Sequence, residues 1–402
     1  MPHVGSHSSL GKLRKSLSLS TVLVPTALTS VAWLLATPSA YAACGNNPPG
    51  NYTSTVLCQA ATGAANLTIT GPSNVTINPG TATAFGIQSW AQGGTGATVS
   101  LNASNVTVFN QRTGANSVGI YALADPSTGG NGTLTLSGTN SVTTNFGTGV
   151  LLNIQGTGSG TSTIGGVLTV DSRAIGTDDN DGVETTTHQG GNATLIMTAT
   201  GSITVRGGNG IFIDSLSNGG NIRGDIAAGM TVNLDNTIAG ANNARNPNSG
   251  IYAVTQTTGN VDLTTGAAIN TQGARADGIR AVAVRGTVNV NNSGPIQTTG
   301  DNSRGIEMTT TAGTAGPGGP ITATNSGSIQ TQGLNSAGIL ATSTDGNLSI
   351  TNTGQITTNG RESSGIQAVA AMPVPPRSTR GPRCEQTASS ASESMRRAAL
   401  RT

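Results

Sequence analysis

Aromatic and charged residues are scarce in this chain of 402 residues, at 2% and 9% of the sequence. A compact enzyme domain of this length normally contains more of both kinds. Glycine, in contrast, occupies 58 positions. The composition therefore disfavours a compact enzyme and leaves two classes of chain, a disordered polymer or a repetitive β structure.

Lysine is nearly absent, because Lys12 and Lys15 are the only two in the chain. Between residues 43 and 371, ten arginines stand against fifteen acidic residues, which gives a net charge of −5. A nucleic-acid-binding surface requires the opposite balance. We therefore expect no nucleic-acid partner.

A repeat runs from Gly278 to Ala371 and keeps a fixed phase. Its marks are a Gly-Ile pair and an Asn-Ser/Thr-Gly-x-Ile motif, which precedes the next pair by the same interval each time. Two of the last three intervals between pairs are equal, and the third is longer because it contains a Gly- and Pro-rich insertion between Gly313 and Pro320. The Gly-Ile or Gly-Val pairs begin at Gly86, Gly119, Gly149, Gly182, Gly210, Gly250, Gly278, Gly305, Gly338 and Gly365. A phase that tolerates an inserted loop indicates a stacked solenoid rather than disorder, and a regular repeat of about 27–33 residues lies in the solenoid range.

Each repeat contains three short strand patterns separated by turn residues. In the coil opened by Gly278, these patterns are 279–284, 287–291 and 295–299. The predicted fold is all-β, a right-handed parallel β-helix of roughly ten coils over residues 67–371. The side chains predicted to face inward are Ile279, Ala281, Val288, Val290 and Ile296, with Thr, Asn, Gln and Arg mostly outside.

Asn292, Asn325 and Asn352 occupy one position of successive repeats. Asparagine at a repeated turn can tolerate a left-handed backbone, and its amide can also stack on the next amide as a ladder. We favour the simpler interpretation, in which these residues only favour the turn.

Residues 1–42 have the features of an extended secretory signal. Lys12, Arg14 and Lys15 precede an apolar stretch, and Ala40 and Ala42 are the small residues expected before a cleavage site. The sequence therefore predicts export, with the mature chain beginning at residue 43.

Cys44 and Cys58 flank a short segment just before the first coil. In an exported chain this arrangement predicts a disulfide that closes an amino-terminal cap, residues 43–66. At the other end, the glycine turns, the asparagines and the alternation all stop at Ala371, and six arginines follow. Residues 372–402 are predicted to be either a disordered basic tail or the product of a frameshift.

The signal, followed by segments such as Ser249–Ala253, Asn352–Gly360 and Ser364–Ala368, resembles the passenger region of type V autotransporters. The resemblance implies an exported rod displayed outside a Gram-negative cell, most often as an adhesin. Its partners would be surface proteins or glycans of a host or of bacteria, or other copies of itself. The family also carries a carboxyl-terminal translocator barrel, which we expect to be absent from this chain because no aromatic residue follows Tyr252. The expected location is the cell surface or the medium if a translocator is supplied, and otherwise the periplasm.

Two other functions remain open. One is a secreted protein similar to filamentous haemagglutinin, which a separate partner exports. The other is a glycan-active enzyme similar to the pectate-lyase β-helices, which would need clustered acids, a basic residue and aromatic platforms. Trp90 is the only tryptophan after the signal and the acids are isolated in the sequence, so we expect neither a catalytic residue nor a cofactor.

Three local motifs are weak candidates for sites. Asp178, Asp179 and Asp181 could bind Ca²⁺, although an acidic turn is the favoured interpretation. Arg223, Gly224 and Asp225 match the integrin-recognition tripeptide and are predicted to lie in a turn. His188, the only histidine after the signal, lies in a predicted loop and is not expected to be catalytic.

Overall fold

The computed structural model describes most of the predicted repeat region. The described residues are 46–47, 51–52, 56–60, 63–78, 85–91, 94–112, 117–125, 130–173, 180–217, 219–237, 248–312, 316–344 and 346–371. All of them belong to one compact unit. The predicted signal, Cys44 and the predicted tail lie outside the described residues.

The described residues form 31 strands and no helix. The first ten are β1 (Asn46–Asn47), β2 (Asn51–Tyr52), β3 (Val56–Ala60), β4 (Gly63–Ile77), β5 (Phe85–Ala91), β6 (Gly94–Asn110), β7 (Ser117–Ala124), β8 (Gly132–Leu136), β9 (Thr139–Thr144) and β10 (Gly147–Ile154). The next eleven are β11 (Gly160–Ile164), β12 (Val167–Ser172), β13 (Val183–Gln189), β14 (Ala193–Met197), β15 (Thr200–Arg206), β16 (Ile211–Ser217), β17 (Ile222–Ile226), β18 (Met230–Asp235), β19 (Ser249–Thr255), β20 (Val261–Thr265) and β21 (Ala268–Gln272). The last ten are β22 (Asp277–Val284), β23 (Val288–Asn292), β24 (Ile296–Thr299), β25 (Ile306–Thr311), β26 (Ile321–Asn325), β27 (Ile329–Gln332), β28 (Ile339–Thr344), β29 (Leu348–Asn352), β30 (Ile356–Thr358) and β31 (Ile366–Ala371). No helix among these residues has the length and hydrophobicity that crossing a membrane requires.

The strands stack as parallel columns, which confirms the predicted parallel β-helix. Column A is an eleven-stranded sheet that contains every third strand from β7 to β31 together with β3 and β5. The remaining twenty strands form one hydrogen-bonded sheet with two columns, because the long strands β4 and β6 contribute to both. Column B continues from β6 through β8, β11, β14, β17, β20, β23, β26 and β29, and column C through β9, β12, β15, β18, β21, β24, β27 and β30.

The Gly-Ile marks lie side by side in column A. Ile279 pairs with Ile306, Ile306 with Ile339, and Ile339 with Ile366. The earlier marks pair in the same way as far back as Ile87, which itself pairs with Val56 of β3. Coil stacking therefore begins before residue 67, inside the segment predicted to be a cap. Cys58 in β3 is disulfide-bonded, while its expected partner Cys44 is not among the described residues.

The core is a continuous apolar column inside the coils. β23 illustrates its origin, because Val288 and Val290 alternate with Asn289 and Asn291, and only the valines are buried. The side chains of Ile279, Ala281, Val288, Val290 and Ile296 are all buried, as predicted. Burial of apolar surface at about 25 cal/mol per Å² makes this column the main source of stability.

From β5 to β31, a glycine precedes the Ile or Val mark of each column A strand because neighbouring coils approach closely there. A Cβ atom at Gly305 would lie 2.5 Å from the carbonyl oxygen of Gly338 and would overlap Ile329. The same clash with the next coil occurs at Gly278 and Gly338. The repeated glycine is therefore a packing requirement of the column and not a turn signal alone.

The three repeated asparagines form a ladder inside the coil. The Nδ2 of Asn292 donates to Oδ1 of Asn325 at 2.7 Å, and the Nδ2 of Asn325 donates to Oδ1 of Asn352 at 2.7 Å. Each residue ends a strand, and Asn292 and Asn325 are fully buried. Each amide also donates to the carbonyl oxygen of the glycine two residues further on, across the turn. The favoured interpretation, in which these residues only favour the turn, is therefore wrong. Among the described residues, the non-glycine positions with left-handed backbone are instead Arg275, Arg285, Asn302, Asn335 and Glu362.

Candidate functional site

The outer face of column B carries two rows of mostly polar side chains. Row one contains Thr133, Thr161, Thr194, Arg223, Asp262, Asn289, Thr322 and Ser349, which pair in register from coil to coil. Row two lies two residues further along each strand and contains Thr135, Thr163, Ile196, Asp225, Thr264, Asn291, Thr324 and Thr351. Alternation along each strand sends these side chains outward while their neighbours fill the core.

A shallow open groove of about 200 Å³ lies on this face, across β20, β23 and β26. Its lining residues are Asp262, Leu263, Thr264, Asn289, Val290, Asn291, Thr322 and Thr324. The six polar members are exposed, and the Nδ2 of Asn289 donates to Oδ1 of Asp262 at 2.6 Å. The groove thus presents hydroxyl, amide and carboxylate groups from three successive coils.

The Arg-Gly-Asp tripeptide lies on the same face but not in a turn, so that prediction is wrong. Arg223 and Asp225 point outward from strand β17, and their side chains form an ion pair, with Nη2 2.6 Å from Oδ2. Gly224 faces the core, where a Cβ atom would lie 2.7 Å from Cδ1 of Leu263. Arg223 belongs to row one and Asp225 to row two, and each lies next to a residue that lines the groove, Asp262 and Thr264 respectively.

Asp181, the described member of the acidic triplet, has a structural role. Its Oδ1 accepts hydrogen bonds from the backbone and side-chain nitrogens of Asn209, at 2.6 and 3.0 Å, and only 2% of the residue is exposed. Asn209 and Asp277 occupy the same position in later coils and accept in the same way from Ser249 and Arg304. Asp178 and Asp179 lie outside the described residues. Within the described ranges, no three His, Cys, Asp or Glu side chains are close enough to hold a metal ion.

His188 lies in strand β13 and not in the predicted loop. It is half-buried near the carboxyl end of this strand. Glu184, the nearest acid along the chain, is buried near the start of the same strand.

The acids are less isolated than the sequence suggests, because column A brings two of them together. Asp277 is fully buried, and the carboxyl of Glu307 in the next coil lies beside it. Burial, together with the charge of Glu307, raises the pKa of Asp277 well above its ordinary value. Burial acts to raise the pKa of Glu307 as well, but the adjacent Asp277 carboxyl and the charges of Arg280 and Arg304 outweigh it and lower that pKa.

Aromatic residues flank this acid pair as part of the same stack. The ring of Tyr252 stacks on Phe212 with centroids 5.3 Å apart, and the Arg280 guanidinium lies 5.3 Å from the centre of the Tyr252 ring. Burial is the main cause that raises the pKa of Tyr252. The tyrosine ring is thus contacted on both sides along the column, by Phe212 and by Arg280. Asp277 has no exposed surface with which to reach a ligand. The arrangement stabilises column A by stacking and by cation–π attraction.

Sequence reasoning missed both the acid pair and the groove. Asp277 and Glu307 come from different coils, so their proximity follows only from the register of the repeat. Their positions relative to the Gly-Ile pairs could have predicted this proximity, because Asp277 directly precedes Gly278 and Glu307 directly follows the next pair, Gly305-Ile306.

No protein-family model, curated protein or solved structure matches this chain.

Proposed function

We propose that this chain is an adhesive β-helical rod of an exported protein, similar in role to an autotransporter passenger. The observation that supports the proposal is the pair of polar rows on column B, which repeat in register over eight strands. Such a face offers many equivalent weak contacts on a rigid support. Repeated contacts raise the overall affinity far above that of any single one.

Location and export belong to the same proposal. The segment 1–42 directs the chain out of the cytoplasm, and the rod acts at the cell surface or in the medium. Its partners are surface proteins or glycans of host cells or bacteria, or other copies of the chain. Export by a separate partner protein, as for filamentous haemagglutinin, leaves the adhesive role unchanged.

The test is adhesion of beads coated with the full chain to epithelial cells and to one another. One variant, Asn289→Lys with Thr322→Lys, adds two charges to row one. A matched variant, Gln297→Lys with Gln330→Lys, adds the same charges to the outer face of column C in the neighbouring strands. We expect adhesion that the row-one variant weakens several-fold and the column C variant leaves unchanged. No adhesion in either assay, or equal losses in both variants, would contradict the proposal.

A further inference from the structure

The groove on column B has a composition that selects among ligand classes. Its walls are Asp262, Asn289 and Thr322 on one side and Thr264, Asn291 and Thr324 on the other. Hydroxyls and amides both donate and accept hydrogen bonds, so the groove matches a ligand covered with hydroxyl groups. Protein partners instead are anchored by protruding aromatic, aliphatic or arginine side chains. The aliphatic lining residues of the groove, Leu263 and Val290, form its floor and point into the core with 2% and 3% of their surface exposed, so they offer no such anchor.

Charge narrows the ligand class further. Asp262 is the only charged residue that lines the groove, and its carboxylate accepts a hydrogen bond from Asn289. The nearest cation along row one, Arg223, is paired with Asp225 at 2.6 Å. An acidic polysaccharide or a nucleic acid would therefore meet a carboxylate without a free cation to balance it.

The geometry favours a polymer over a small sugar. Adjacent rungs of each row are about 4.8 Å apart along the coil axis, and the two rows are about 6.6 Å apart along the strands. Beyond the groove, Ser349 and Thr351 continue the two rows with further hydroxyl groups. A chain that lies along the axis therefore meets a pair of polar side chains in each of the four successive coils that contain β20, β23, β26 and β29.

We propose that the groove across β20, β23 and β26 binds a neutral linear polysaccharide that runs along the helix axis. Asn289 and Asn291 stand at its centre and contribute amide donors and acceptors from both rows. The inference rests on the proposed adhesive function, for which it names the ligand. Affinity rises with polymer length, because each added coil contributes another pair of contacts.

The test is native affinity electrophoresis of the full chain in gels that contain xylan, galactomannan, hydroxyethyl cellulose or polygalacturonate. We expect retardation by at least one neutral polymer, and competition by its oligosaccharides that strengthens with their length. Asn289→Ala with Asn291→Ala should weaken binding about tenfold or more, as expected for two lost hydrogen bonds. The matched variant Gln297→Ala with Gln330→Ala should bind like the parent, and circular dichroism checks that both variants fold.

Retardation by no neutral polymer, binding to polygalacturonate alone, or cleavage of a polymer would overturn the inference. Equal losses in the two double variants would also overturn it. Bead adhesion separates the two proposals. If adhesion persists without polysaccharide binding, the ligand assignment fails and the adhesive rod remains, whereas loss of both contradicts both.

Discussion

Polar side chains that directly precede the column A glycines link neighbouring coils by hydrogen bonds. Asp277 is one of them. Its Oδ1 accepts a hydrogen bond from the backbone nitrogen of Arg304 at 2.7 Å, and its carboxyl lies beside that of Glu307. Because its pKa is raised in the folded chain, its contribution to stability is complete below the ordinary carboxyl range and is lost as the pH rises through the raised value. Glu307, with a lowered pKa, contributes in the opposite direction and loses its contribution as the pH falls through that value.

We predict that Asp277→Asn removes the loss of stability at rising pH. The amide keeps an oxygen for the backbone nitrogen of Arg304 and places an uncharged N–H group beside the Glu307 carboxylate, so the variant should match or exceed the stability of the parent near neutral pH by up to about 1 kcal/mol. Thermal unfolding between about pH 4 and pH 9 measures this. The reciprocal variant Asn209→Asp places a carboxylate against Asp181 and should lower stability. Identical pH profiles for the parent and Asp277→Asn would contradict the assignment.

The asparagine ladder gives a second prediction at this scale. Asn325→Leu removes the bonds to Asn292, Asn352 and the carbonyl oxygen of Gly327, and leaves that buried carbonyl without the amide donor. We expect the free energy of unfolding to fall by about 2–4 kcal/mol, measured in urea. The exposed neighbour Thr324→Ala should change it by less than about 0.5 kcal/mol. Similar effects at the two positions would show that the ladder contributes nothing.

At the scale of the strand, the glycine before the Ile or Val mark of the column A strands β5 to β31 sets the distance between coils. Gly305→Ala would press a methyl group against the Gly338 carbonyl and Ile329, so we expect a loss of about 3 kcal/mol or more. Gly316→Ala is the control, because no atom lies within 4 Å of its added methyl group. Chemical unfolding of both variants checks the prediction. An unaffected Gly305→Ala variant would mean that the coils are further apart than the structure has them.

The sequence predicts the strands well where the repeat is regular. The spacing of Ile279, Ile306 and Ile339 along the chain predicts which residues pair between neighbouring strands, so column A follows from the sequence alone. The long strands β4 and β6, with 15 and 17 residues, could not be predicted in this way, because each spans two columns without an intervening Gly-Ile mark. Asn292 was misread because a turn asparagine and a ladder asparagine have the same local sequence, and only the stacked neighbour distinguishes them.

The candidate groove is harder to predict than the fold. The sequence indicates that Asn289 and Asn291 face outward, but Thr and Asn are so abundant that nothing singles out these positions. The groove forms only because Asp262 and Thr322 lie next to Asn289 in the sheet, although each is a whole coil away from it along the chain. For the Arg-Gly-Asp motif, the local sequence predicts a turn, but these residues lie in strand β17 because the stacking of column B requires a strand there.

At the scale of the whole molecule, position along the coil axis depends on coil number and not on residue number. Thr133, Asn289 and Ser349 all belong to row one, and five coil steps separate the first two while seven separate the first and third. At about 4.8 Å for each step, these separations are about 24 Å and 34 Å. The proposed contact face depends on this regular stacking.

In-register stacking of the coils is tested by electron spin resonance distance measurements between nitroxide labels on row one. Labels are attached to cysteines introduced as Thr133→Cys with Asn289→Cys, and as Thr133→Cys with Ser349→Cys, in a Cys384→Ser background. If the coils stack in register, the distance distributions are narrow and their centres differ by about 10 Å, the length of two coil steps. Broad distributions, or equal centres for the two pairs, would contradict the in-register stacking on which the rows, the groove and the proposed adhesion depend.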